Sequence, residues 1–415
     1  MSPTHDELGL FGSDHPRSEP PLRSRRELRE LHDRRRRAKR RSGRRKVIVW
    51  TGVLVVLVVV GFAAWFGVDQ LRGIGSYDDY AGAGESDVVV EVSNGQTTGA
   101  IAARLQELDV VASSRAFVKA GEQETKVRGI QPGFYVMKTK MSGKEAVARM
   151  VDPASRVGRL EIRAGSQLDD VTKLDGGINP GIVSLLAKAS CAELNGVSTC
   201  VAPQELQQVA ETADLASLGV PDWAVAPAGA AEAKHRLEGL ILPNVYDVRP
   251  GASAPELWKS LVTASAAQLQ SVGMPDVAAA TGFTPYQVTV MASLIEREAI
   301  AADFGKVSRV TYNRLAKPMP LQYDSTINYV LDRPMIATSD ADRSRSGPYN
   351  SYRNEGLPPT PIGSPSKEAF EAAVKPVDGA WIYFVKCDKN GTSCFAVTDA
   401  EHQANVQKAR ANGAF

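Results

Sequence analysis

From Val47 to Val68 the chain runs 22 residues without a charged side chain, and no other stretch limits its architecture as strongly. A helix needs about 20 consecutive apolar residues to cross a hydrocarbon core, so 47–68 reads as a single membrane span. Trp50 and Trp65 fall near its two ends, where indoles favour the interface. The apolar part of a cleaved leader is shorter, about 7–15 residues, and lies nearer the terminus; here 46 residues come first. Those residues, 1–46, carry 15 Lys and Arg against 7 Asp and Glu, with the bases crowded at Arg34–Arg37, Arg40, Arg41, Arg44, Arg45 and Lys46. Past the span, Arg72 is the one nearby base. The positive-inside rule then places a disordered basic arm in the cytoplasm and residues 69–415 outside. Lipid headgroups account for the arm's charge. It has no aromatic residue between Arg17 and Lys46 on which bases could stack, and the formal charge of the whole chain is only +2. No nucleic-acid partner is expected.

The chain as a whole has ordinary globular composition: 415 residues, 43% hydrophobic and 23% charged, too long for one average domain. Its four cysteines all follow the span, in two close pairs, Cys191/Cys200 and Cys387/Cys394. In an oxidising compartment such pairs read as disulfides. The second pair flanks Asn390-Gly391, a hairpin signal between strand-like segments. Neither pair has the C-x2-C spacing of a zinc site, so no metal is expected.

Residues 69–86 are Gly- and Asp-rich and read as a linker. From 87 to 162 the pattern gives strand, two helices, strand, helix and strand, a small α+β module. Residues 163–415 form a larger mixed α+β domain. Its most legible segment begins at Thr284, where Thr284, Pro285 and Gln287 make a capping box with proline at the first helical position. A helix is expected from there to about Ala301. Ser253 and Glu256 have the same capping-box spacing at an earlier helix.

Two acids lie inside the Thr284 helix. At 100° per residue, Val288, Met291, Leu294 and Ile295 form its large apolar stripe. Glu298 falls on that stripe and Glu296 points away from it. A carboxyl held against apolar surface disfavours its charged form and suits a proton donor, which singles out Glu298. The competing reading is a structural acid paired with Arg309, Arg314 or another base. Glu238 and Asp324 are the candidates for a second carboxylate, since glycosidases that hydrolyse usually use two. His235 and His402 show no partner in sequence and read as structural. There is no G-x-S-x-G, H-E-x-x-H or Walker motif.

The ordered motifs are similar to those of the YceG-like endolytic murein transglycosylases, the MltG family. They are Leu237-Glu238-Gly239 with Pro243 and Tyr246, and Met291-Ala292-Ser293-Leu294-Ile295-Glu296-Arg297-Glu298. Asn313-Arg314-Leu315, Leu321-Gln322 with Asp324 and Thr326, and Tyr349-Asn350-Ser351-Tyr352 follow. Gly356-Leu357-Pro358-Pro359 and Tyr383-Phe384-Val385 complete the series. The resemblance covers about 87–415. It departs from the family pattern at Asn244-Val245, at Ser351 and at Thr360.

The resemblance implies a LysM-like module at 87–162 and a catalytic domain at 163–415. It implies cleavage within peptidoglycan glycan strands to leave 1,6-anhydro-N-acetylmuramic acid ends. The second Glu of its helix motif is the catalytic one, and that is Glu298. One carboxyl can serve as acid and then base, so a lyase needs neither a second carboxylate nor a cofactor. Gln322, Asp324, Asn313, Asn350 and Tyr352 are the candidate sugar-binding residues, with Glu296 and Glu238 the weaker candidates for the catalytic acid. The expected partners are glycan strands, the membrane and cell-wall synthases. A non-catalytic wall-binding scaffold and a hydrolytic muramidase are the alternatives.

Overall fold

The computed structural model describes residues 52, 54–62, 77–331 and 338–414. The basic arm and most of the 47–68 segment lie outside the described residues. Residues 52 and 54–62 are helical with exposed side chains. Among the described residues no helix is long and apolar enough to cross a membrane.

The part that begins at Tyr77 is mixed α+β. Its first layer is a three-stranded antiparallel sheet in order β1-β2-β3, with β1 Asp87–Val92, β2 Gly133–Lys138 and β3 Arg156–Val157. Helices α1 (Thr98–Glu107), α2 (Ser114–Gly121) and α3 (Gly143–Met150) cover it. Each begins with a hydroxyl cap, from Thr97, Ser113 and Ser142, that accepts a backbone N–H of the first turn. Val90, Leu105, Phe117, Met137, Met141 and Met150 fill the space between, all almost fully buried.

The next strand, β4 (Arg159–Ile162), pairs with β5 (Asn244–Asp247) in the larger body rather than with the small sheet. The junction between small sheet and body is polar. Arg156 Nη2 donates to Asp247 Oδ1 at 3.0 Å, and the Asp87 amide donates to Asn195 Oδ1 at 2.7 Å.

In the body, α4 (Ile182–Ala189), α5 (Pro203–Thr212) and α6 (Ala254–Ser271) pack against the β4/β5 ladder in one core with Leu186, Leu206, Leu257 and Trp258. At its centre runs α7 (Pro285–Glu298), buried at Tyr286 and then from Val288 to Ile295 without a break. Around it lie α8 (Phe304–Ala316), α9 (Asp324–Tyr329) and α10 (Lys367–Val374). A hairpin of β6 (Tyr383–Lys386) and β7 (Ser393–Ala396), closed by the Cys387–Cys394 disulfide, and α11 (Asp399–Asn412) complete the chain. Cys191 and Cys200 form the second disulfide.

Both expected capping boxes form. Gln287 Oε1 accepts the Thr284 N–H at 2.9 Å, and Glu256 Oε2 accepts the Ser253 N–H at 2.8 Å. The α7 helix nonetheless ends at Glu298, short of Ala301. Ala299 is extended, with φ −139° and ψ 172°, and the chain turns through a 3-10 segment at Ala301–Asp303 into α8.

Candidate active site

Because α7 stops where it does, Glu298 is its last helical residue, at the negative end of the helix dipole. That position disfavours an anion. The side chain is 9% exposed. Among the described residues its Oε1 accepts one hydrogen bond, from the backbone N–H of Ser325 in the first turn of α9 at 3.1 Å. Burial raises its pKa above the ordinary carboxyl value; the polar groups of Ser325 and the charge of Lys386 oppose the rise, and Asp324 adds to it. Among the described residues no base stands within ion-pair distance of it. Both arginines that could have neutralised it are bound elsewhere. Arg309 donates to the Val377 carbonyl at 2.6 Å. Arg314 donates to the carbonyls of Ile382, Pro320 and Leu321 at 2.6, 3.0 and 2.7 Å.

Asp324, the first residue of α9, is treated in the opposite way. Burial alone would raise its carboxyl, but hydrogen bonds from Thr338, Tyr352 and Arg343 outweigh it and hold the group below the usual range. Thr338 Oγ1 and the Tyr352 hydroxyl each donate to Oδ1 at 2.6 Å, and Arg343 Nη2 lies 3.2 Å from Oδ2. The Arg343 guanidinium also stacks 5.0 Å over the Tyr352 ring. Two neighbouring carboxyls thus have pKa values driven apart, the pattern that separates a proton donor from a fixed anion.

Gln322 lies just ahead of α9, exposed, with φ 56° in the left-handed region. Its N–H donates to the Ser351 carbonyl at 2.9 Å, and its Oε1 accepts from Arg314 at 3.2 Å. A non-glycine residue rarely adopts this backbone, and such outliers persist where neighbours over-determine them. The remaining sequence candidates hold loops. Asn313 donates to the carbonyls of Gly379 and Trp381 at 3.0 and 2.8 Å. Asn350 donates to those of Arg343 and Arg345 at 2.9 and 2.5 Å. Glu296 Oε2 accepts the N–H of Ser366 at 3.0 Å and is hydrogen-bonded by the Ser366 hydroxyl, fastening α7 to the cap of α10.

Glu238 lies apart from that group, 2% exposed. Oε2 accepts from the Leu168 N–H at 3.3 Å and the Tyr329 hydroxyl at 3.1 Å. His235, expected to be structural, has a partner after all, since its Nδ1 lies 2.6 Å from that same hydroxyl. His402 stacks on Tyr383 with ring centroids 5.1 Å apart.

Sequence reasoning missed Ser325 and Tyr329. Ser325 acts through its backbone N–H, which no side-chain pattern reveals, and Tyr329 through contacts to residues more than 90 positions away. The family departures have local uses. Ser351 Oγ accepts the Tyr323 N–H at 2.9 Å, and Thr360 Oγ1 lies 2.7 Å from the Tyr349 hydroxyl. A cavity of about 620 Å³ opens at the other end of α7, among Phe283, Tyr286, Tyr312 and Pro358, and Glu298 does not line it. No cluster of metal-ligating side chains occurs among the described residues.

Known proteins are similar to the chain over most of its length. The chain is 26% identical over 332 residues to the endolytic murein transglycosylase of Bacillus subtilis, covering 78% of this chain and 85% of that one. It is 27% identical over 293 residues to the endolytic murein transglycosylase of Streptococcus pneumoniae serotype 2, and there spans 50% of the relative's length. In fold it is similar to a YceG-like protein of Listeria monocytogenes solved by crystallography. The TM-score is 0.51 at 24% identity, over 77% of this chain and 98% of that one. The YceG-like family pattern matches residues 90–408, and the chain belongs to the YceG-like family.

Proposed function

We propose that this chain is an endolytic murein transglycosylase, a lyase that cuts the bond between N-acetylmuramic acid and N-acetylglucosamine within peptidoglycan strands. Family membership and the activity named for the Bacillus and Streptococcus relatives support the reading. The observation that carries it is Glu298, a buried acid at a helix C-terminus with one amide partner and no paired base among the described residues.

In this reading Glu298 gives its proton to the glycosidic oxygen as the C1–O bond breaks. That oxygen keeps the bonding pair and leaves as the 4-hydroxyl of N-acetylglucosamine. The C6 hydroxyl of the muramic acid closes on C1 and passes its proton to the Glu298 carboxylate, which restores the acid. Nothing is consumed, and the strand ends in a 1,6-anhydro sugar. Asp324 stays ionised beside the acid, and Gln322 and Tyr352 contact the sugars. Asn313 and Asn350 shape the loops around them. The 47–68 span anchors the enzyme at the membrane with residues 69–415 outside, where it trims strands as cell-wall synthases extend them.

The test is digestion of purified glycan strands by the full-length chain, followed by mass analysis. Products lighter by one water than their reducing-end counterparts are expected. Reducing ends would make the protein a hydrolytic muramidase, and intact strands a scaffold.

A further inference from the structure

The short helix α9 is held at both ends by buried carboxyls on one side. Ser325 lies in the first turn, where backbone N–H groups are free to bond outside the helix, and Tyr329 ends the helix one turn later. Ser325 gives its N–H to Glu298, and Tyr329 gives its hydroxyl to the cluster of Glu238 and His235. The helix α9 is only six residues long. A shift at Tyr329 therefore displaces the amide that orients Glu298.

We propose that Glu238 is a positioning residue for Glu298, acting through Tyr329 on the α9 amide that holds the Glu298 carboxyl. This rests on the reading of Glu298 as the catalytic acid.

The surroundings of Glu238 decide the form in which it acts. Among the described residues Oε1 is buried and has no hydrogen-bond partner, and the nearby Tyr286 hydroxyl is likewise buried without one. The titratable groups that face the carboxyl are Asp169 on the loop after β4, Arg297 and Tyr286 on α7, Tyr329 on α9, Tyr349, and His235 on its own segment. Arg297 is the one cation of the set, and its Nη1 donates to the Gly165 carbonyl at 3.2 Å. Burial pushes the Glu238 carboxyl up to about 8, against the hydrogen bonds from Leu168 and Tyr329. At neutral pH it is a carboxylic acid. As an acid it can turn round the contact in which its Oε2 accepts from Tyr329 at 3.1 Å, giving its own proton to the Tyr329 oxygen so that Tyr329 donates to His235 Nδ1 at 2.6 Å. Burial also keeps His235 below its ordinary pKa, so its ring is a neutral acceptor. Ionised Glu238 pulls the Tyr329 proton back, breaks that order and adds an uncompensated buried charge.

The test compares full-length native, Glu238→Gln, Glu238→Ala and Tyr329→Phe chains on purified glycan strands. Tyr329→Phe is expected to lower kcat about tenfold with KM within twofold, and Glu238→Ala to do at least as much. Glu238→Gln keeps an uncharged amide in place and restores a third or more of the native rate at pH 7. Between pH 7 and 9 the ratio of the Glu238→Gln rate to the native rate rises about tenfold, because only the native group ionises in that range. This ratio cancels any ionisation of Glu298 itself. A flat ratio, or a Tyr329→Phe kcat equal to native, overturns the proposal.

If the native chain cleaves nothing, the functional reading fails separately, and the ionisation of Glu298 still decides the positioning role. Followed by difference infrared spectroscopy against Glu298→Gln, it moves to higher pH in Tyr329→Phe as the Ser325 amide is lost. No shift there overturns the proposal.

Discussion

The small sheet module and the body of the protein bury different things. Between residues 87 and 157 the buried side chains are apolar apart from Ser155. Beyond 163 the interior holds Glu238, Glu298, Asp303, Arg314 and His235 together with a long series of hydroxyls. Burying a polar group costs free energy unless it is bonded, and a charge costs far more. The interior of the module therefore gains stability from apolar packing. The body sacrifices some of that gain to hold acids where water does not. The contrast assigns packing to one region and chemistry to the other, and it can be broken from either side.

The largest effect is expected at Glu298. Glu298→Gln retains an oxygen for the Ser325 N–H but has no proton to give. Cleavage should fall by at least about 10³-fold, while the thermal melt stays within a few degrees of native. An active variant, measured by release of soluble products from glycan strands, would remove the acid from the mechanism.

Next comes Phe117, fully buried in the module. Phe117→Ala should cost about 3–5 kcal/mol in urea unfolding and leave the rate per folded molecule at its native value. If instead the rate falls with stability intact, the module takes part in the chemistry and the division between regions fails.

The same contrast explains what could be read from residue order. The module follows from local rules: short β-branched and aromatic runs in β1 and β2, hydroxyl caps before α1, α2 and α3, and apolar residues at helical spacing. In the body the Glu298 stripe was legible because Leu294 and Ile295 precede it by one turn on the same face. The partners of Glu298 were not, since Ser325 and Lys386 come from a different helix and from a hairpin. Nor was the early end of α7. Ala299-Ile300-Ala301 contains no breaking residue, and Asp303 is instead drawn into the interior by the Ser393 N–H at 2.7 Å. The role of Glu296 depended on Ser366, 70 residues away. Local propensity gives an acid its face; only the packed chain gives it a neighbour.

The smallest and most discriminating effect concerns the charges beside Glu298. Asp324 is held ionised and raises the Glu298 carboxyl; Lys386 lowers it. The catalytic form is protonated, so the rate falls as pH rises through the Glu298 pKa. Asp324→Asn removes the negative charge, lowers that pKa and moves the fall to lower pH. Lys386→Met removes the positive charge and moves it to higher pH. The pair of shifts, read from rate against pH on glycan strands, must have opposite signs. A purely steric role for Asp324, in which Arg343 and Tyr352 merely lose a hydrogen-bond partner, would lower the rate at every pH and leave the midpoint fixed. Shifts of the same sign would mean that neither charge acts on Glu298 through its field, and the separation of the two carboxyls into donor and anion would then rest on burial alone.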